Sequence, residues 1–376
     1  MRRASCSLRA PGTEMAERAA LQRYEDLTAD WLTDALQARW PGCRVAALEH
    51  GPIFGYKRNK FRVRAEYAGD APRPDVDRFI VKGNFPGEND PATGSAWAMA
   101  SELRSIRDIA PLVAAPAMPE SFRVAISPEA SDIIMADLTP GGTIFFHAFR
   151  TLSLGQAIAF VDSFARMHAS SWGCAEFPAD GSTEAARCAE GNRRMLHDHY
   201  FPGFFHAESW DRYVDLPRGR ALPHAFQSLP RMQAAWTAMW DVLHQATRVI
   251  VHGDEHLGNL YVEADGTPGV IDWVARPEAW PIGIVYFLLC ALDIEDRRRW
   301  ERPLLDHYVN RLSAYGVQHP PTAEVAWLLY RCACLYPVIT WLNNSATWQP
   351  ESINTANAVR ASTAALDHGS LALLGV

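Results

Sequence analysis

The sequence predicts an α+β chain in two parts: a small antiparallel sheet with one main helix, then a larger and mostly helical part. Three observations lead there. Short β-type runs at 45–49, 61–67 and 79–83 crowd together and are separated by turn residues. One helical stripe follows at 95–110, with Met99, Leu103, Ile106 and Ala110 on a common face, and two more β-type runs come after it at 121–125 and 132–135. Beyond a turn-rich segment, Ala136-Asp137-Leu138-Thr139-Pro140-Gly141-Gly142, nearly every periodic stretch has the helical period.

Each element has its own justification. Residues 26–42 read as a capped amphipathic helix, with Asp26 and Thr28 at its start and Trp31, Leu32 and Leu36 along it. A loop holding Gly51 and Gly55 separates the first two strands, and a turn with Pro72 and Pro74 separates the next two. Glu102 lies at the edge of the Met99–Ile106 stripe, so it can point inward toward the sheet. The turn-rich segment at 136–142 is the expected hinge, which gives a first part at 23–138 and a second at 139–376. Helices are expected at 153–172, 190–200, 224–247, 282–292, 297–315 and 322–344, the last kinked by Pro337. Residues 1–22 are expected to be a disordered extension. They begin with Arg2-Arg3 but have no apolar stretch of the secretory kind, and Met15 is an alternative start.

Composition narrows the function classes. A length of 376 residues fits about two domains, and 48% hydrophobic residues with 13 Trp can fill a large core. A net charge of −7 without a long basic run argues against nucleic acid and anionic membrane as partners. The longest apolar run, 282–292, is about half of the roughly 20 residues a membrane helix needs, so no membrane association is expected. Seven scattered Cys without a C-x-x-C pair predict reduced thiols and a cytoplasmic setting. Among 36 basic residues only Lys57, Lys60 and Lys82 are lysine. Lys82 follows the apolar run Phe79-Ile80-Val81, where a compact ammonium suits a phosphate in a way that arginine does not.

The densest chemistry lies in Val251-His252-Gly253-Asp254-Glu255-His256-Leu257-Gly258-Asn259, followed by Ile271-Asp272-Trp273. Between them, two short apolar runs flank Asp265-Gly266, the sequence form of a β-hairpin. A hairpin returns its ends to one place, so Asn259 and Asp272 should meet beside Asp254. A base with two oxygen ligands for a hard cation is the equipment of phosphoryl transfer. On that reading Asp254 orients an acceptor hydroxyl, and Asn259 and Asp272 hold Mg²⁺ on the phosphates of ATP. Lys82 contacts those phosphates, Glu102 fixes Lys82 as an ion pair, and the backbone near Ala136 and Leu138 meets the adenine edge.

Each of these residues also has a plainer reading. Asp and Asn favour turns whatever their function. His252 and His256 are expected to support the catalytic loop rather than to react. Their alternation with Asp254 suggests zinc, yet no open His or Cys set accompanies them. His168 and most of the tryptophans read as core.

His-Gly-Asp-x-His-x-x-Asn followed by Ile-Asp-Trp resembles the aminoglycoside phosphotransferase and choline kinase superfamily, and most nearly its bacterial ecdysteroid-kinase-like (CHK kinase-like) members. The likeness extends to Met135-Ala136-Asp137-Leu138, to Phe164-Ala165-Arg166-Met167-His168-Ala169 with Trp172, and to Ala326-Trp327 with Tyr330-Arg331, and spans about 26–372. It implies a bilobal protein-kinase-like fold and an ATP-dependent phosphotransferase with an alcohol acceptor. Two departures stand out. Gly283 occupies about the place where the family has an Asp that supports the catalytic loop, and Gly51-Pro52-Ile53-Phe54-Gly55 lacks a G-x-G-x-x-G pattern. The expected function is a small-molecule kinase acting on a hydroxyl of a metabolite, antibiotic or steroid-like compound. Phe201, Phe204, Phe205, Trp210, Trp341 and Trp348 suggest an apolar body for that substrate. A catalytically weak nucleotide-binding protein is the alternative. A protein kinase is disfavoured because Ile-Asp-Trp stands where Asp-Phe-Gly would be and no Ala-Pro-Glu follows.

Overall fold

Strands β1 (Val45–Phe54), β2 (Lys60–Tyr67) and β3 (Arg78–Gly83) form in the order expected and pair antiparallel. The structure, a computed structural model, describes residues 19–55, 59–86, 95–173 and 183–376. Most of the expected N-terminal extension, together with Cys6, Lys57 and Cys174, lies outside the described residues. Helices α1 (Ala29–Gln37) and α2 (Ser95–Arg104) and strands β4 (Ser121–Ile126) and β5 (Ser131–Ala136) complete the first unit, whose sheet order is β1-β2-β3-β5-β4. This unit comprises residues up to Val113 and Pro119–Leu138. The second comprises Ala114–Met118 and Thr139–Val376.

Alternation along β3 sorts its side chains between two layers. Phe79 and Val81 join Phe61, Val63, Leu32 and Leu36 in a core on the α1 side. Lys82 is opposite Ile133 in the β3–β5 register, and Ile133 packs with Met99 and Leu103 of α2. The α1 helix is shorter than the 26–42 expected. Thr28, not Asp26, caps it, its Oγ accepting the Trp31 N–H at 3.1 Å, while Asp26 ends a separate 3-10 turn. The Gly51 loop is also corrected. Gly51 and Pro52 belong to β1, at a register shift between His50 and Ile53, so the connection to β2 begins only at Gly55. The 95–110 helix is α2 continued by π and 3-10 turns.

In the second unit β6 (Ile144–Phe145) precedes α3 (Leu154–Ser170), which starts in a capping box: the Ser153 hydroxyl accepts the Gln156 N–H and Gln156 Oε1 accepts the Ser153 N–H. Next come α4 (Glu184–Arg194), α5 (Phe201–Phe204), α6 (Ala207–Val214), α7 (Pro217–Arg220) and α8 (Leu229–Leu243). The helix expected at 190–200 thus begins earlier and passes into a π turn at Met195–Tyr200, and the one at 224–247 is shorter. Four short strands follow: β7 (Arg248–Val251), β8 (Leu260–Val262), β9 (Pro268–Val270) and β10 (Arg276–Ala279). β8 lies between β6 and β9 in one small sheet, and β7 pairs with β10 in another.

Helix α9 (Pro281–Ala291) is buried along its whole length, as suits a helix apolar on every side. Around it stand α10 (Ile294–Ala314), α11 (Ala323–Ala333), α12 (Leu335–Asn343), α13 (Glu351–Asp367) and α14 (Ser370–Leu373). Pro337 does more than kink a helix: α11 ends at Ala333, the residue whose carbonyl a proline four positions on cannot bond. The stretch Ala323–Asn343 is, by length and composition, apolar enough to cross a membrane, which corrects the expectation that no run is long enough; 67% of its most apolar window is buried inside the protein. Scattered Glu324 and Arg331 hide it from a count of uninterrupted apolar residues. The five described cysteines are free and buried.

Candidate active site

Register decides the geometry of the hairpin. Leu260 stands opposite Val270, Tyr261 opposite Gly269 and Val262 opposite Pro268, with Gly266 at φ +92° in the turn. One step beyond the ladder the Ile271 N–H donates to the Asn259 carbonyl at 2.9 Å, so Asn259 and the residue before Asp272 are joined directly. Asp272 takes up the left-handed region at φ +57°, which short polar side chains tolerate best after glycine.

Asp254 is held through both carboxylate oxygens. Oδ1 accepts the Tyr286 hydroxyl at 3.1 Å, and Oδ2 accepts Asn259 Nδ2 at 2.9 Å with His256 Nε2 at 3.3 Å. The protein packed around it works against its charge, yet the His256 and His252 rings and the Tyr286 hydroxyl hold its carboxyl below the usual range. It therefore remains an acceptor at neutral pH, and its side chain is 41% exposed, open to a reactant. The Asn259 amide nitrogen also donates to the Asp254 carbonyl at 3.0 Å. With its nitrogen so committed, the amide oxygen is the atom Asn259 can turn to a cation. An amide oxygen and a carboxylate are hard donors that fit Mg²⁺, which takes only one or two protein ligands and fills its octahedron with water and phosphate oxygens. Among the described residues no group of three or more His, Cys, Asp and Glu is placed to hold a metal.

Both histidine rings are hydrogen-bonded to backbone near Asp254. His252 Nε2 donates to the Ile271 carbonyl at 3.0 Å while Nδ1 accepts the Asp254 N–H at 3.2 Å, so the ring ties the loop to the hairpin. Burial pushes its pKa down to about 4, and it stays neutral. His256 Nδ1 accepts the Gly258 N–H at 3.0 Å, which puts the ring proton on Nε2, facing Asp254. His168 is core as expected: burial drives its pKa to about 3, and Nδ1 lies 2.8 Å from the Tyr308 hydroxyl.

In the first unit Lys82 Nζ lies 2.6 and 2.7 Å from the two oxygens of Glu102, with both side chains buried. The Ala136 N–H donates to the Glu120 carbonyl at 2.9 Å. The six aromatics expected to suit an apolar substrate differ in burial. Phe201, Phe204, Trp210 and Trp341 are core, and of the six only Trp348 is exposed.

Two contributors have weak sequence signals. Tyr286 is the single hydroxyl in the apolar run of α9, which is the clue that it has a polar partner. Arg276 gives no such clue. Fully buried, it donates to the Gly253 carbonyl at 2.9 Å and to the Tyr336 hydroxyl at 2.8 Å.

Residues 152–275 match the model of the phosphotransferase enzyme family, APH. The matched stretch runs from the start of α3 through the catalytic loop, Asn259 and Asp272. The match covers about a third of the chain and agrees with the superfamily that the motif resembles, without singling out the ecdysteroid-kinase-like group. No curated protein matches the chain significantly. Among solved structures, choline kinase LicA from Streptococcus pneumoniae is 12% identical, covering 86% of this chain and 94% of its own at a TM-score of 0.48. An ethanolamine kinase from Plasmodium vivax is 9% identical, with 84% and 81% covered at 0.48. The spectinomycin phosphotransferase APH(9)-Ia is 12% identical, with 92% and 99% covered at 0.42.

Proposed function

We propose that the protein is a cytoplasmic, Mg²⁺- and ATP-dependent kinase that phosphorylates an alcohol group of a small molecule. The observation that carries this reading is the pairing of Asp254 with Asn259, at the end of a hairpin whose other end delivers Asp272. Asp254 accepts a hydrogen bond from the acceptor hydroxyl and aims its oxygen in line with the γ-phosphorus. The new oxygen–phosphorus bond forms as the bond to the β-phosphate oxygen breaks, and the hydroxyl proton passes to Asp254. Asn259 and Asp272 would hold Mg²⁺, which would supply charge neutralisation on the phosphates. In the first unit Lys82, fixed by Glu102, would contact the nucleotide phosphates, and the backbone near Ala136 and Leu138 would meet the adenine edge.

An apolar-bodied acceptor remains the preferred class, on a narrower basis than the sequence suggested. Tyr200 stacks on the exposed Trp348 with ring centres 6.0 Å apart and planes at 15°. The test is a screen of metabolites, sterol alcohols and kanamycin-type sugars for Mg-ATP-dependent phosphate gain by mass spectrometry, with Asp254→Asn as control. A sterol or other apolar alcohol should be phosphorylated by wild type alone. Phosphorylation confined to aminoglycosides would overturn the acceptor class, and equal activity in the Asn variant would overturn the site. Gly283, which brings no carboxylate to the loop, favours a second reading as a weakly catalytic nucleotide-binding protein. Single-turnover ATP hydrolysis separates the two, since a binding module would show equal rates in wild type and Asp254→Asn.

A further inference from the structure

Glu255 follows Asp254 in the chain but points the opposite way, into the protein, where it is 2% exposed. Its Oε1 accepts the N–H of Gly253 at 3.1 Å. The same oxygen stands 3.0 Å from where a Cβ on Gly283 of α9 would be, with His168 Cε1 and Val251 Cγ1 each 3.2 Å from that point. A side chain at position 283 would therefore make Glu255 give way by a few tenths of an ångström, so the two positions share one space. On the other side of the loop, the Arg276 guanidinium donates to the Gly253 carbonyl. The N–H of Gly253 is thus held by a carboxylate and its carbonyl by a cation, at a residue whose φ of +96° only glycine adopts readily. The carbonyl so fixed belongs to the peptide that presents Asp254.

A buried carboxylate is costly unless it is bonded and compensated, so a side chain needed only as filler there would be apolar. We propose that Glu255 is the positioning residue of the loop that carries Asp254: with Arg276 it clamps Gly253 so that Asp254 is correctly aimed. The inference rests on Asp254 being the base.

Steady-state hydrolysis of Mg-ATP by the full chain tests it, with folding followed by circular dichroism. Glu255→Leu should lower kcat by about 10²-fold, the scale expected when a catalytic group shifts by an ångström, while KM for Mg-ATP stays within about twofold. Glu255→Gln, whose amide oxygen can still accept the Gly253 N–H, should lose about tenfold, equivalent to one pKa unit of interaction. Adding Gly283→Asp to Glu255→Leu returns a carboxylate to the same space and should recover most of the loss. Leu at 255 with kcat within about twofold of wild type, or a folded double variant that recovers nothing, would refute the clamp. If neither Leu variant folds, Glu255→Gln decides alone, and an unchanged kcat ends the proposal. Asp254→Asn is the control: a rate equal to wild type there means the site reading itself is wrong, whatever Glu255 does.

Discussion

Lys82 and Glu102 show how one residue's placement follows from strand alternation. Phe79 and Val81 claim the α1 face of β3, so Lys82 must emerge on the α2 face, where Glu102 waits with its side chain 8% exposed. Removing one member of a buried ion pair strands the other charge, which costs about 3 kcal/mol or more, whereas replacing both by apolar groups is often nearly neutral. Lys82→Met should therefore destabilise strongly in urea denaturation and Lys82→Met/Glu102→Leu much less; equal losses would show that the pair is not coupled. Asp272 separates backbone from ligand in another way. At φ +57° it sits where glycine is more comfortable, so Asp272→Gly should keep or raise the melting temperature without nucleotide. The same variant should lose the stabilisation by Mg-ATP, which for an intact site is about 2.7 kcal/mol at hundredfold saturation. A wild-type shift with Mg-ATP would remove Asp272 from the ligand set.

At the scale of elements, the β8–β9 hairpin does the placing. Gly269 faces Tyr261 across the ladder, and a Cβ there would lie 2.1 Å from the Tyr261 ring. Gly269→Ala should force the strands apart at a cost of about 1–3 kcal/mol and, by moving Asn259 against Asp272, weaken the Mg-ATP thermal shift as well. A loss of stability with an unchanged shift would mean that the loop, not the hairpin, sets the site. This hairpin was legible because Asp265-Gly266 between apolar runs is a turn with a steric cause. The five strands of the first unit were legible for the same reason, each bounded by turn residues. The β7–β10 pair was not. Pro277 argues against a strand, and β10 tolerates it in a two-stranded ladder with no second neighbour requiring its N–H. Arg276, carried on that strand, was hidden with it. Helix α13 was missed because Asn354, Asn357, Ala358, Ala361 and Ser362 face its core, and such small and polar residues write no apolar stripe. The Asp254–Tyr286 contact lies between elements 32 residues apart, a distance no local pattern spans.

Across the molecule, charge is spent inside as well as on the surface. In the second unit Glu301 of α10 binds Arg297 one turn away at 2.9 Å, the Tyr330 hydroxyl of α11 at 2.9 Å and His368, just past α13, at 3.0 Å. One buried carboxylate thereby fastens three helices that surround the core. Burial alone would raise its pKa, but the hydrogen bond and charge of His368, followed by Arg297, bring it below the ordinary glutamate value of 4.5. A carboxyl whose folded pKa lies below its unfolded one stabilises the protein at every pH above the unfolded value, and that contribution disappears as the pH falls through the folded value. Wild type should accordingly lose stability steeply below about pH 4.5, where the unfolded chain begins to take up a proton that the folded chain resists. Glu301→Gln, with no proton to gain there, should be less stable at pH 7 and decline more gently, so that the two urea-midpoint curves converge toward pH 3. Parallel curves over that interval would mean that Glu301 titrates alike in both states and that the three-helix junction is held by packing alone.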